Sequence, residues 1–320
     1  MDRSEYLSQY HENTKEAMEM YLLKFAKRIS DRPELLKDLV YDALEQAAGK
    51  MQRQDKAEGI YYYFSLLQLD LLAHKFSVVL QVFDDSWYLD QNPATLQVSL
   101  DHLLEDLAEY EEELKRQART PEQMIHQYDI QSSLLSLAKP INGLITCQLR
   151  YALRDMELLK GDYWQLCWGE YCGDNMVVVQ RDRQKKSCRE WQQSVRKTEQ
   201  DNHFLSTSYW YQLELTCFDC SNMHLDFICF DDCDLNEISF EKTDLTGASF
   251  KHTVLKNCSF KDCKMEYVDF SETIFQGITS FDNAVMTGAV FQLTEALKLE
   301  FSKIQQEVVL VIEEMKGDEA

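Results

Sequence analysis

Along the first half of the chain, apolar side chains recur at the three- and four-residue spacing of amphipathic helices. Tyr21, Leu22, Phe25 and Ile29 give a first helix its stripe. Ser30 or Asp31 then stands where an N-cap belongs, and Pro33 suits the first turn of the next helix. That helix carries Leu36, Val40, Ala43, Ala47 and Met51 on one face. Residues 59–83 are apolar nearly all round, from Ile60, Tyr61 and Phe64 through Leu71 and Phe76 to Val79, Leu80 and Phe83. The expectation there is one central, buried helix. Asn92-Pro93 separates it from a helix with Leu100, Leu103, Leu104, Leu107 and Leu114 inside. Thr120-Pro121-Glu122 marks another start, and a last helix runs from about Pro140 to Leu159, where Gly161 stops it. Together these predict an all-α helical domain over residues 1–161.

Residues 162–212 change character and read as a connecting segment. Trp164, Leu166 and Trp168 alternate with polar neighbours, Gly173-Asp174-Asn175 offers a turn, and Met176-Val177-Val178-Val179 follows. This is the pattern of a β-hairpin. Arg181-Asp182-Arg183-Gln184-Lys185-Lys186 is the one dense basic run, and Ser187 and Glu190 then have capping-box spacing for a short helix through Trp191.

A different period takes over at residue 213. Leu215, Cys220, Leu225, Phe230, Leu235, Phe240, Leu245, Phe250, Leu255, Phe260, Met265, Phe270 and Phe275 fall five apart without a break. Two residues before each lies a second, smaller series that includes Cys233, Thr243, Ala248, Thr253, Cys258 and Cys263. The other three positions are mostly polar. Neither helix nor flat strand repeats every five residues, so each unit must contribute one turn of chain with two side chains inward. After Phe275 the phase slips by one, to Phe281, Met286 and Phe291, and Gln276-Gly277 is where an extra residue would be absorbed.

These repeats resemble the pentapeptide-repeat family, whose motif A(D/N)LXX is matched by Cys233-Asp234-Leu235-Asn236-Glu237, Thr243-Asp244-Leu245-Thr246-Gly247 and Val268-Asp269-Phe270-Ser271-Glu272. The resemblance implies a right-handed quadrilateral β-helix over residues 213–292, with four pentapeptides per coil. Side chains twenty apart then stack, Phe230 on Phe250 on Phe270, with Phe on two opposite sides and mainly Leu on the other two. In the tail, residues 293–320, Leu297, Phe301, Ile304, Val308, Val311 and Met315 follow a heptad seam. A C-terminal helix that caps the solenoid or pairs two copies is expected, with a strand as the alternative around Val308 to Ile312. The fold class is therefore multidomain α and β.

Charge narrows the partners. Residues 1–160 hold 27 acidic against 18 basic side chains and residues 213–292 hold 14 against 5, so neither binds a phosphate backbone in the ordinary way. No apolar run is long enough to cross a membrane and no secretory start is seen, so a cytoplasmic protein with reduced thiols is expected. Cys217 and Cys220 form a C-x-x-C with Cys229 and Cys233 close behind. Cys220, Cys233, Cys258 and Cys263 nevertheless fall on inward positions, and the outward Cys217 and Cys229 alone do not close a zinc site.

The sequence carries no P-loop, dinucleotide fingerprint, nucleophile elbow or zinc-protease motif. The expectation is a non-enzymatic protein-protein interaction scaffold without cofactor. Its partner surface would combine aromatic and basic groups: Trp168, Arg181, Arg183, Lys185, Lys186 and Trp191. The resemblance implies an alternative, since some family members imitate duplex DNA and modulate type II topoisomerases such as gyrase. Four coils at roughly 4.8 Å each reach about 20 Å, or roughly six base pairs, so such a mimic would need two copies end to end. A third reading is an enzyme whose site lies in the helical domain.

Overall fold

The computed structural model describes residues 2–53, 60–73, 77–100, 103–104, 106–119, 124–156, 162–292, 301–302, 305 and 308–311. It divides into two units, Met1–Val179 and Gln180–Ala320.

The first unit opens with α1 (Arg3–Asp31), whose N-terminus is closed by a capping box between Asp2 and Glu5. Ser30 and Asp31 still belong to α1; the chain breaks at Arg32, and Pro33 starts α2 (Pro33–Arg53) as expected. The predicted central helix is not there. Residues 60–83 instead give β1 (Tyr61–Leu66), the short α3 (Gln68–Ala73) and β2 (Ser77–Phe83), and β3 (Ala94–Ser99) follows. An apolar run carries no period by which helix and strand differ. Here Tyr61-Tyr62-Tyr63-Phe64 and Val78-Val79-Leu80 are aromatic and branched, the side chains that pack best on a pleated surface. Leu100, Leu103 and Leu104 are buried ahead of α4 (Leu107–Gln117), followed by α5 (Gln127–Leu135) and α6 (Ala138–Ala152). The Thr120-Pro121-Glu122 start and the stop at Gly161 lie outside the described residues.

The expected hairpin forms as β4 (Tyr163–Glu170) and β5 (Asn175–Asp182), but it is no connector. It completes a five-stranded sheet in the order β3-β2-β1-β4-β5. β1 lies parallel to β4, with Tyr61 opposite Gln165, and antiparallel to β2. Phe64 of β1 stacks on Trp168 of β4 at 5.6 Å, and the indole Nε1 of Trp168 donates to Asn142 Oδ1 of α6 at 2.9 Å. The first unit is therefore a mixed sheet packed with helices rather than an all-α domain, and its boundary falls inside β5 rather than at residue 161.

In the second unit, α7 (Cys188–Lys197) starts on the predicted Ser187–Glu190 capping box. The coils begin before residue 213. Tyr209 bridges Cys229, Lys185 bridges Tyr211, and Leu205 and Trp210, in phase with the later series, are buried. Four parallel ladders then run along the unit. One contains β6 (Glu214–Thr216), β7 (Asp234–Asn236), β8 (Val254–Lys256) and β10 (Ile274–Gln276). The second joins Asp219, Ser239, Ser259 and Ser280, and the third joins His224, Asp244, Lys264 and Val285. The fourth passes from Tyr209 through Cys229 and Ser249 to β9 (Asp269–Phe270), β11 (Val290–Phe291) and β12 (Leu310–Val311). Rungs sit twenty residues apart, except where they span the phase slip and sit twenty-one apart (Ser259 to Ser280). The slip does not end the solenoid, since three of the ladders continue past it.

Both ends of the stack are covered. Trp191 of α7 is fully buried, edge-on to Trp210 at 4.9 Å and tilted against Phe230 at 5.5 Å. At the other end Phe301 meets Phe281 at 5.3 Å and Phe291 at 5.0 Å, and Gln305 Nε2 donates to the carbonyls of Phe281 and Ala284. Beside them β12 adds a parallel strand to β11, so the strand alternative holds at Leu310–Val311. Leu297, Ile304, Met315 and the proposed helix around them lie outside the described residues.

Candidate interaction surface

The solenoid interior leaves no room for a ligand between rungs. Phe230, Phe250, Phe270 and Phe291 stack in one column with ring spacings of 5.4, 5.0 and 4.7 Å. Phe240, Phe260 and Phe281 form a second at 5.0 and 5.3 Å, and rings of the two columns meet edge-on. The smaller inward series does more than fill space. Thr243 Oγ1 donates to the carbonyl of Cys220 at 2.8 Å, Thr273 Oγ1 to that of Phe250 at 2.7 Å, and Thr253 Oγ1 to that of Phe230. Cys263, Cys233 and Cys258 play the same part through their thiols, donating to the carbonyls of Phe240, Trp210 and Leu235. Each donates to a carbonyl of the coil before, a second donor for those of Phe240 and Phe250, which also accept a backbone N–H. Burial pushes the Cys263 thiol up to about 12 and the Cys220, Cys233 and Cys258 thiols upward too, which keeps them protonated donors rather than thiolates.

Outward groups are held in rows. Every coil corner places one residue at positive φ, among them Cys217, Asn222, Phe227, Asp232, Glu237, Lys242 and Gly247. Gly247 is required there: a Cβ would stand 2.5 Å from the ring of Phe227. Side chains of successive rungs then pair along the surface, as in Ser259 with Glu241, Asn283 with Asp262, Lys264 with Asp244 and His252 with Glu272. On the Tyr209 face three outward positions, Tyr209, Cys229 and Asp269, are themselves buried. Arg181 lies over the Tyr209 ring at 5.4 Å, and Ser249 Oγ donates to Asp231 at 2.6 Å. Cys229, expected to face solvent, is buried here, and burial followed by the Asp231 charge raises its thiol well above the ordinary value. Cys217 is exposed as expected, with its thiol on Glu237 at 3.0 Å.

The residues singled out as a partner surface do not all lie at the surface. Trp168 is fully buried in the first unit and Trp191 in the second, because each indole fills a core. Arg181 is buried as well. Lys186 pairs with Asp182, and Lys185 reaches Glu214 at 2.6 Å. Only Arg183 and Lys185 are exposed. In the first unit an open groove of about 550 Å³ runs between α1 and α6, lined by Leu22, Leu23, Ala26, Pro140, Gly143 and Leu144 with Glu19 at its rim. Its lining offers contact area and a single carboxylate. Among the described residues no three His, Cys, Asp or Glu side chains are grouped to hold a metal ion.

A family model for pentapeptide repeats matches eight copies over residues 230–262 and 238–277. No curated protein matches the chain. Among solved structures, a pentapeptide repeat protein from the Arabidopsis thaliana thylakoid lumen is 21% identical over 36% of this chain and 81% of that one, at a TM-score of 0.22. A pentapeptide repeat protein from Nostoc Pcc 7120 is 13% identical over 40% of this chain and 99% of that one, also at 0.22. QnrB1, a plasmid-mediated fluoroquinolone resistance protein, is 18% identical over 27% of this chain and 48% of that one, at 0.19. The five-residue phase, the four ladders and the matched repeats together make residues 230–277 a run of pentapeptide repeats.

Proposed function

We propose that this protein is a non-enzymatic, cytoplasmic scaffold that binds another protein through the outer faces of its pentapeptide-repeat unit. One observation carries the reading. The inward side chains are committed to stacking and to hydrogen-bonding carbonyls, while the outward ones stand in fixed rows on a backbone bonded rung to rung. Such an array enters a complex with little ordering left to do, which is the main saving available to a binding surface. The right-handed, square-sided form implied by the family belongs to this reading. Phe301, from the heptad strip that could have paired two copies, is spent on Phe281 and Phe291 of its own chain, so the tail acts as a cap.

The acidic repeat unit, with 14 acidic against 5 basic residues over 213–292, favours one second reading, a DNA-mimicking modulator of a type II topoisomerase. Joining two short rods end to end would require open ends, and here both carry caps.

Lys242, Lys256, Lys261 and Lys264 occupy outward positions, so amine cross-linking of the full chain in native lysate, read by mass spectrometry, tests the proposal. The expected result is a reproducible partner linked to these lysines. Purified gyrase linked there, with DNA competing it away, would favour the mimic. Turnover of a small molecule with no partner linked would overturn both.

A further inference from the structure

The phase slip in the solenoid has a specific address. Ile274 pairs in register with Val254, yet Ser280 bridges Ser259, so one extra residue lies between them. The inward series resumes at Thr279, which is buried, and the displaced residue is Ile278. It is 79% exposed, the most exposed large apolar side chain among the described residues. Two neighbours hold it there. The backbone N–H of Ile278 donates to Asn257 Oδ1 at 3.1 Å, and Gly277, at φ +69°, leaves space for that amide where a Cβ would stand 2.1 Å away. Bulges re-aim side chains and are built features rather than accidents. This one spends a glycine and an asparagine to hold an isoleucine in water.

The surroundings of Ile278 differ from those on the other faces. Along the Glu214 face the first outward row reads Glu214, Asp234, Val254, Ile274. Ile274 is 53% exposed on the same rung as Ile278, and Asp234 and Glu237 are exposed two rungs away. Glu214 is engaged by Lys185, and Lys256 is the cation the face itself carries. The Asp219 face, by contrast, is a row of Asp219 and three serines. The Glu214 face is thus apolar at one end and acidic at the other.

We propose that the Glu214 face, with Ile274 and Ile278 as its apolar anchors, docks an amphipathic helix of a partner protein that carries Lys or Arg beyond an apolar ridge. This deepens the scaffold reading and rests on it. Rungs repeat at roughly 4.8 Å and a helix at about 5.4 Å per turn, so side chains three and four apart on a helix lying along the solenoid meet successive rungs. Apolar positions over Ile274 and Ile278 then set cations over Asp234 and Glu237, about two turns further on. A strand would have to pair with backbone already used within the ladders.

The test uses the full chain with isotope-labelled isoleucine methyls and a synthetic helical peptide of about 18 residues, with leucines at i and i+4 and lysines two turns on. Methyl shifts confined to Ile274 and Ile278 are expected. Ile278→Asp should weaken binding roughly tenfold, as loss of a buried apolar anchor does, and Val285→Asp on the His224 face should leave it unchanged. Both exposed sites tolerate aspartate without unfolding, which circular dichroism checks. Undiminished binding by Ile278→Asp, or equal binding of a peptide with glutamate in place of lysine, overturns the proposal. So does light scattering that shows a dimer made monomeric by Ile278→Asp, which would make a second copy the occupant. Lysate cross-links that survive Ile278→Asp would sink this face and leave the scaffold standing, whereas their absence from the wild-type chain would sink the scaffold itself.

Discussion

The two units close their cores over very different stretches of chain. In the first, Tyr61 lies against Gln165, and the sheet is incomplete until β4 and β5 arrive. In the second, Leu215 rests on Leu235 and Leu235 on Leu255, so each rung needs only its neighbours. Stability in a stacked repeat is approximately a sum over nearest-neighbour interfaces, while a sheet threaded through distant strands gains little until the whole is assembled. The repeat unit should therefore respond to damage locally and the first unit as a whole.

The strongest way to break that contrast is a matched pair of cavities. Phe64→Ala in the first unit and Phe250→Ala in the second each remove a fully buried ring stacked on another, and each should cost about 3–5 kcal/mol. Native-state hydrogen exchange should then differ. Phe64→Ala should raise exchange across β1, β2 and β4 together, whereas Phe250→Ala should raise it most in the coils beside Phe230 and Phe270 and less with distance. A uniform increase in both would refute the local picture.

Thr243→Val keeps shape but removes the donor to the carbonyl of Cys220, and should destabilise the repeat unit by about 1–3 kcal/mol in chemical denaturation. Thr243→Cys, the residue type used for this purpose at Cys263, should recover part of the loss. If valine costs nothing, the inward hydroxyls and thiols are only space-fillers.

Ser187→Ala opens the capping box that seats α7 over the first coil, for about 1 kcal/mol. Hydrogen bonds from Ser187 hold the Glu190 carboxyl below the ordinary carboxylate range. Its folded-state pKa is thus depressed, so the box contributes above the unfolded carboxyl pKa and is lost as pH falls through the folded one. The difference between the wild type and Ser187→Ala should narrow on the acid side and keep the part due to the Ser187 Oγ cap on the Glu190 N–H. Smallest of all, Lys261→Ala on the outer surface should change stability by no more than about 0.5 kcal/mol.

The five-residue phase announced the repeat unit because every unit of sequence meets the same surroundings, so one pattern is written again and again. Stacking of Phe230, Phe250 and Phe270 needed one thing more, the four units per coil that the family resemblance implies. The inward place of Cys220, Cys233, Cys258 and Cys263 follows from the phase alone, and Leu205 and Trp210 carry the same phase two repeats before Leu215. The polar work of Thr243 and Cys263 was less legible, since smallness and donor capacity coincide in both side chains. The capping box at Ser187 was local and could be seen directly. Trp191 and Trp168 misled for a different reason: an indole beside basic residues looks the same in sequence whether it fills a core or faces a partner.

What the chain determined by itself, then, is whatever depends on neighbours in sequence: the helix starts at Pro33 and Ser187, the five-residue period, and the slip after Phe275. Only the tertiary structure decided that Tyr61-Tyr62-Tyr63-Phe64 is a strand, because its partner Gln165–Glu170 lies far away along the chain and an apolar run has no period of its own. It also decided that the slip should turn Ile278 outward onto Asn257, since the amide that holds it belongs to the coil before. Local propensity is worth a few tenths of a kcal/mol per residue. Burial of a large side chain is worth about 1.5–3 kcal/mol, and where the two disagree the distant contact wins.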